Sequence, residues 1–231
     1  MAKPPAALPS PRSLYAGKGP LPFDGALAVE HLHAKDPVLS KLIARVGPFA
    51  LQTEGTQAPF QSLTESIMHQ QVTGKAAAAI LGRFRASFGT AKTFPKPERL
   101  TVATDEELRA VGVSRSKAAA IRDLAAKTLD GTVPTSKALH TMTDDEIIER
   151  LVAVRGIGVW TVHMLLMFRL GRPDVLPVGD YGVRKGFAKT FHPKRTKDDL
   201  PTPSAVAKRA ERWRPYRTVA SWYMWRTLEL E

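Results

Sequence analysis

The sequence predicts an all-α protein made of many short helices, roughly ten of them. Three observations carry that expectation. Apolar residues recur at three- and four-residue spacing almost throughout from residue 26. A Ser or Thr followed three residues later by Glu, the capping-box pattern, opens apolar-periodic stretches at Ser62/Glu65, Thr104/Glu107 and Thr143/Glu146. No stretch alternates apolar and polar residues as a half-buried strand does, and no long-period repeat stands out.

Taken in order, "LAVEHL" and "DPVLSKLIARV" have helical spacing, with Pro37 suited to a first turn. "SLTESIM" begins a helix at its capping box. "TGKAAAAILGRFRASFG" starts at Thr73 and stops near Gly89, and "SRSKAAAIRDLAAKTLDG" has the same form with Gly131 as its stop. Helix 144–153 carries Ile147, Ile148, Leu151 and Val152 on one face, and the next begins near Val159 with Val162, Leu165 and Leu166. "TPSAVAKRAERW" opens with an N-cap Thr202 and Pro203 at the first helical position, and a last helix is expected from Pro215.

Composition narrows the function classes. The 231 residues suffice for a core that needs no staples, and there are no cysteines. That excludes disulfides, thiolate-held iron–sulfur clusters and cysteine zinc sites, and it suits a reducing cytoplasm. The formal charge of +12 points to a polyanionic partner, nucleic acid first, an anionic membrane or ribosomal surface next. No apolar run approaches the ~18–20 residues of a membrane span. Residues 1–22 are rich in Pro and small residues without the apolar centre of a signal peptide, and are expected to be a disordered basic tail.

Between helices 144–153 and 159 onward, Val154-Arg155-Gly156-Ile157-Gly158 leaves room only for a tight hairpin. Glycine permits positive φ and close backbone approach, and the N–H groups that open the next helix form an anion site. The turn therefore suits a DNA phosphate, with Gly156, Gly158 and Arg155 as its contacts. It suits equally a plain helix–helix corner whose glycines stop a helix.

"LVAVRGIGVWTVHMLLMF" followed by "DVLPVGDYGVRKGF" resembles the hairpin, loop and aspartate of the helix-hairpin-helix DNA glycosylases, within them the 3-methyladenine DNA glycosylase II branch in its shorter bacterial form. The likeness continues in "SIMHQQVTGKAA", "LRAVGVSRSKAAAIRDLA" and "AERWRPYRTVASWYMWR" and spans about residues 36–228. Arg155 departs from the proline usual there. The resemblance implies a two-lobed helical domain over residues 23–231, with lobe A about 23–62 plus 179–231, lobe B about 63–178, the hairpin at 144–170 and the active site in the cleft between lobes. It also implies a structural Na+ or K+ on the hairpin carbonyls of Val152, Val154 and Ile157, and no cofactor that the chemistry requires.

Asp180 follows "LPVG" and precedes a helical stretch, so by position it is an N-cap. The resemblance makes it the catalytic carboxylate, and the two roles are compatible because a helix N-terminus favours a negative charge. Cleaving an N-glycosidic bond builds positive charge on the sugar, which a buried carboxylate stabilises while it orients or deprotonates water. A purine alkylated at N3 or N7 is already cationic and a good leaving group. Trp160 stands where strand-cutting relatives keep a Schiff-base lysine, which implies a glycosylase without lyase activity; Lys185 is not at that position and suits a phosphate contact, as do Arg184 and Lys117.

A base must leave the stack to be cut, and aromatic rings hold it. Trp160, Tyr181, Trp222, Trp225 and His69 are the pocket candidates; Trp222 and Trp225, three apart on one helix, are open to a plain core reading, and the resemblance favours the pocket for Trp225. In "MHQQVT" the resemblance makes Gln71 the wedge that enters the duplex, with Gln70 and Val72 beside it. From Arg184 to Arg217 the chain has eleven Lys or Arg against three acidic residues, read as a phosphate-tracking face. The expected activity is excision of 3-methyladenine and 7-methylguanine from duplex DNA by a cytoplasmic monomer with no membrane partner. The alternatives are a non-catalytic damage-binding protein of the same fold and an oxidised-base glycosylase with lyase activity.

Overall fold

The computed structural model describes residues 19–53, 57–90, 93–193 and 199–230, so most of the expected tail at 1–22 lies outside the described residues. Among the described residues it contains thirteen α-helices, two 3-10 turns and no strand beyond a single bridge between Gly19 and Thr53. We number them α1 (Gly25–Lys35), α2 (Pro37–Val46), α3 (Pro59–His69), α4 (Gly74–Phe88), α5 (Pro97–Thr101), α6 (Asp105–Ala110), α7 (Arg115–Leu129), α8 (Ser136–Thr141), α9 (Asp144–Val152), α10 (Val159–Phe168), α11 (Tyr181–Phe191), α12 (Pro203–Ala210) and α13 (Arg217–Arg226). No helix among the described residues is long and apolar enough to cross a membrane.

Local capping sets most of the boundaries. Thr104 and Thr143 form both halves of their capping boxes with Glu107 and Glu146. Thr73, Ser114, Thr135 and Thr202 accept from the third backbone N–H after them. Ser62/Glu65 does not cap. Pro59, whose φ is preset for a helix start, begins α3 one turn earlier, so Ser62 is buried inside it and Glu65 pairs with Arg85 at 2.6 Å. The last helix begins at Arg217, not Pro215, because Tyr216 is its N-cap.

The chain divides into two units. Among the described residues one comprises 57–162 and the other 19–53 with 163–230, the division falling between Val162 and His163 within α10. The first is organised around α7, against which α3, α5 and α6 pack. Ala118, Ala120, Ile121, Leu124 and Ala125 are the buried face of α7, and its three alanines let neighbouring helices approach closely.

The second unit is organised around α13. Every residue from Thr218 to Arg226 is buried, as expected of a helix surrounded by others, and α11, α2 and α1 pack on it. Gly186 of α11 lies so close to α13 that an added Cβ would sit 2.0 Å from the Met224 carbonyl oxygen. Residues 163–178, expected with lobe B, belong instead to this unit. Thr218 Oγ1 donates to the Arg172 carbonyl at 2.6 Å and accepts from Val175 N–H at 3.0 Å, while Arg217 holds the Asp174 carboxylate at 2.7 Å.

Asp36 anchors the same unit. It caps α2 through the N–H groups of Val38 and Leu39, and receives Arg209 from α12 at 2.8 and 3.0 Å and the Trp213 indole at 3.0 Å. Burial pushes its pKa up, but the hydrogen bonds from Arg209, Trp213 and Leu39 and the guanidinium charge outweigh it. The carboxyl therefore sits below the ordinary carboxylate range.

Candidate active site and nucleic-acid interface

The hairpin is held from below and exposes its backbone above. Val154 and Ile157 are buried, whereas Arg155, Gly156 and Gly158 face solvent. Val154 N–H donates to Leu151 and Ile157 N–H to Val154, which closes the turn within two short bonds of 3.1 and 3.0 Å. Gly156 has φ +79°, and a Cβ there would stand 3.2 Å from the methyl of Ala120. This glycine answers both a left-handed backbone and close packing on α7. Gly158 has open space around it. Below the turn, Asp123 accepts the Arg155 N–H at 2.7 Å and the Lys127 ammonium at 2.9 Å, and Lys127 also donates to the Ala153 carbonyl.

The proposed cation ligands Val152, Val154 and Ile157 are main-chain carbonyls of this turn, and hard cations take such oxygens. The Val154 carbonyl already accepts Ile157 N–H and keeps one lone pair for a further partner. No cluster of His, Cys, Asp or Glu suited to a metal occurs among the described residues.

The α3–α4 loop lies in the same unit. Gln71 is exposed and has φ +56°, the left-handed region that a side chain disfavours. Val72 is half-buried, and Thr73 caps α4. Gln70 does not point away with them: its Nε2 donates to the Gly156 carbonyl at 2.9 Å. Lys117 also turns inward. Its ammonium donates to the Met68 carbonyl at 2.7 Å, occupying the C-terminal end of α3, and burial lowers its pKa. His69 is half-buried with Nδ1 unpartnered; burial lowers its pKa, against Glu65 and with Lys117. Trp160, the second residue of α10, is half-buried.

In the other unit Asp180 is 6% exposed and caps α11. Its Oδ1 accepts from Val183 N–H and from the Trp225 indole, both at 2.8 Å. Trp225 is 4% exposed and stacks on Phe168 with centroids 5.7 Å apart, so its ring faces the protein and its N–H faces the carboxylate. Gly182 makes this possible, since a Cβ there would stand 2.7 Å from the indole. Trp222 is buried as well, edge-on to Phe49 and Tyr223 and beneath Arg226. Tyr223 is fully buried, its hydroxyl donates to the Gly47 carbonyl, and burial raises its pKa to about 12. Two of the five ring candidates, Trp222 and Trp225, are thus buried against other rings, while Tyr181 is 55% exposed with Lys185 over its ring.

The basic run is less available than its composition indicates. Arg209 is committed to Asp36, Arg214 and Arg217 to Asp174, and Arg184 donates to the Pro201 carbonyl at 2.9 Å. Lys194, Arg195 and Lys197 lie outside the described residues. Sequence reasoning missed the acidic partners Asp36 and Asp174 and the spacing Gly182-x-x-x-Gly186. That spacing was visible in "YGVRKGF" and puts two glycines on one helical face.

The family model described as "HhH-GPD superfamily base excision DNA repair protein" matches residues 64–215. Over 202 residues the chain is 36% identical to DNA-3-methyladenine glycosylase 1 of Schizosaccharomyces pombe, covering 87% of this chain and 86% of that one. Among solved structures, the 3-methyladenine DNA glycosylase Mag1 of the same yeast in complex with abasic DNA superposes with TM-score 0.76 at 35% identity, covering 88% of this chain and 97% of that one. A DNA-3-methyladenine glycosidase from Bacillus halodurans gives TM-score 0.75 at 36% identity, covering 86% of this chain and 87% of that one.

Proposed function

This chain belongs to the HhH-GPD superfamily of base excision DNA repair proteins, and on that premise we propose that it is a DNA glycosylase that removes alkylated bases from duplex DNA, 3-methyladenine and 7-methylguanine first. The observation that carries the reading is Asp180, a buried carboxylate held at a helix N-terminus by two N–H donors at 2.8 Å. As the base departs, the sugar takes on oxocarbenium character, and a fixed, water-poor carboxylate opposes that charge without having to reorganise. The same carboxylate orients the water that completes the hydrolysis. An N3- or N7-alkylated purine leaves as a neutral base from a cationic nucleotide, so no protonating acid is needed.

In this reading the hairpin at Arg155, Gly156 and Gly158 grips a phosphate through its backbone, with Lys185 as a further phosphate contact. Within the unit that carries Asp180, the ring that meets the flipped base is the exposed Tyr181, while the Trp225 indole holds the carboxylate. A monovalent cation, where bound, would be held by the carbonyls of Val152, Val154 and Ile157 and would add positive charge at the phosphate grip; bond cleavage itself calls for no cofactor. Trp160 in place of a lysine supports release of the base without strand cleavage. The protein acts as a cytoplasmic monomer.

The test is release of methylated bases from alkylated duplex DNA by the wild type and by Asp180→Asn. The wild type releases them, and the variant is slower by about 10³-fold, as when a positioned charge is removed from a transition state. An equally active variant, or an inactive wild type, sinks the assignment. Borohydride treatment of the reaction traps no protein–DNA adduct; a trapped adduct transfers the reading to a lyase.

A further inference from the structure

Two segments of the unit built on α7 are fastened to each other through Gln70. Its Nε2 reaches the Gly156 carbonyl across 86 positions of sequence. The peptide linking Gly156 to Ile157 is thereby held at both ends, its C=O by Gln70 and its N–H by the Val154 carbonyl. The peptide linking Val154 to Arg155 is held in the same way, its N–H by Asp123. Both planes that flank the left-handed turn are therefore fixed from outside the turn.

The loop is fixed too. Lys117 fastens its start through the Met68 carbonyl and Thr73 caps its end. Between them Gln71 stays exposed at φ +56°, a conformation that persists where neighbouring bonds over-determine the backbone.

We propose that Gln70 is a positioning residue: it holds the loop bearing Gln71 and the phosphate-facing turn of the hairpin as one preformed surface, and does not itself enter the duplex. The proposal rests on the glycosylase reading above for what that surface meets. Its physical content is preorganisation. A turn whose peptide planes are already set meets a phosphate without first losing conformational freedom, and a loop tied to it arrives in register. The requirement on residue 70 is then a donor of glutamine's reach, not volume.

The experiment compares wild type, Gln70→Leu and Gln70→Ala for binding to duplexes that hold an abasic-site analogue, with each phosphate near the lesion replaced in turn by a neutral methylphosphonate. In the wild type, one position weakens binding about tenfold when neutralised, as for one lost charge-assisted hydrogen bond. In Gln70→Leu, which keeps the bulk and loses the donor, that position loses most of its effect, and Gln70→Ala behaves the same. Amide exchange in the DNA-free variants quickens at 154–158 with unchanged melting temperature. The proposal is overturned if Gln70→Leu keeps the wild-type phosphate profile. It is equally overturned if Leu retains binding that Ala loses, because residue 70 would then be filling space in the duplex. A wild type that binds these duplexes yet releases no base refutes the glycosylase reading and leaves the coupling result standing.

Discussion

Asp36 and Asp180 share a local chemistry: each caps the helix that follows, each is buried, and each receives an indole N–H, from Trp213 at 3.0 Å and from Trp225 at 2.8 Å. Asp36 adds an arginine to that set. At Asp36 both oxygens are engaged, Oδ1 by two backbone N–H groups and Arg209, Oδ2 by Arg209 and Trp213. The forked guanidinium neutralises the charge where it stands, which makes Asp36 a clasp between α2 and α12. At Asp180 the helix N–H and the indole converge on Oδ1, two neutral donors that orient the group. The guanidinium built against Asp36 makes it an anchor between two helices, whereas the helix N-terminus and the indole at Asp180 set the direction of one carboxylate oxygen.

The largest effect expected from breaking this contrast is the Asp180→Asn loss of excision, about 10³-fold. Its melting temperature changes little, since Asn is as good an N-cap as Asp. Asp36→Asn reverses the pattern. It leaves Arg209 facing a neutral amide in a buried site, and urea unfolding should register a loss of about 3–5 kcal/mol; an unchanged midpoint would remove Asp36 from its anchoring role.

That loss depends on pH in a defined direction. A carboxyl whose pKa is depressed on folding contributes stability above its unfolded value and loses it as pH falls through the folded one. The stability gap between wild type and Asp36→Asn is therefore full above about pH 5 and closes progressively in more acidic solution. A gap that widens on acidification contradicts the assignment.

Smaller still is the effect of Trp225→Phe, which keeps the ring against Phe168 and removes the donor to Asp180. Excision should slow by about five- to tenfold, with about 1 kcal/mol lost in stability. If excision is untouched, the indole is not needed to orient the carboxylate. If it falls as far as in Asp180→Asn, the indole contributes more than orientation, and the comparison with Trp213 no longer holds.

Much of the helical frame was legible locally. Thr73, Thr104, Thr143, Thr202 and Asp180 each cap the helix expected of them, because a cap is satisfied by N–H groups two or three residues away. The left-handed turn at Gly156 follows from the same short range. Ser62/Glu65 shows where the local pattern misleads: Pro59 had already started the helix, and the same two residues went into its interior. The spacing left pocket and core equally open for Trp222, while the resemblance put Trp225 at a pocket position. Both are buried, against Phe49, Tyr223 and Phe168, and no pattern within one helix specifies those partners.

The basic run offers the same lesson for charge. Counting Lys and Arg measures supply, but Asp36 lies 173 positions from Arg209 and Asp174 lies 40 from Arg214. By itself the sequence determined most of the long helices, the caps at Thr73, Thr104, Thr143, Thr202 and Asp180, and the Gly156 turn, since these are settled by neighbours within one helical turn. Only the tertiary structure decided that Asp36 carries Arg209, that Trp225 faces inward, and that Gln70 faces the hairpin. Those outcomes are set by bonds between segments distant in sequence, whose meeting depends on how whole helices pack.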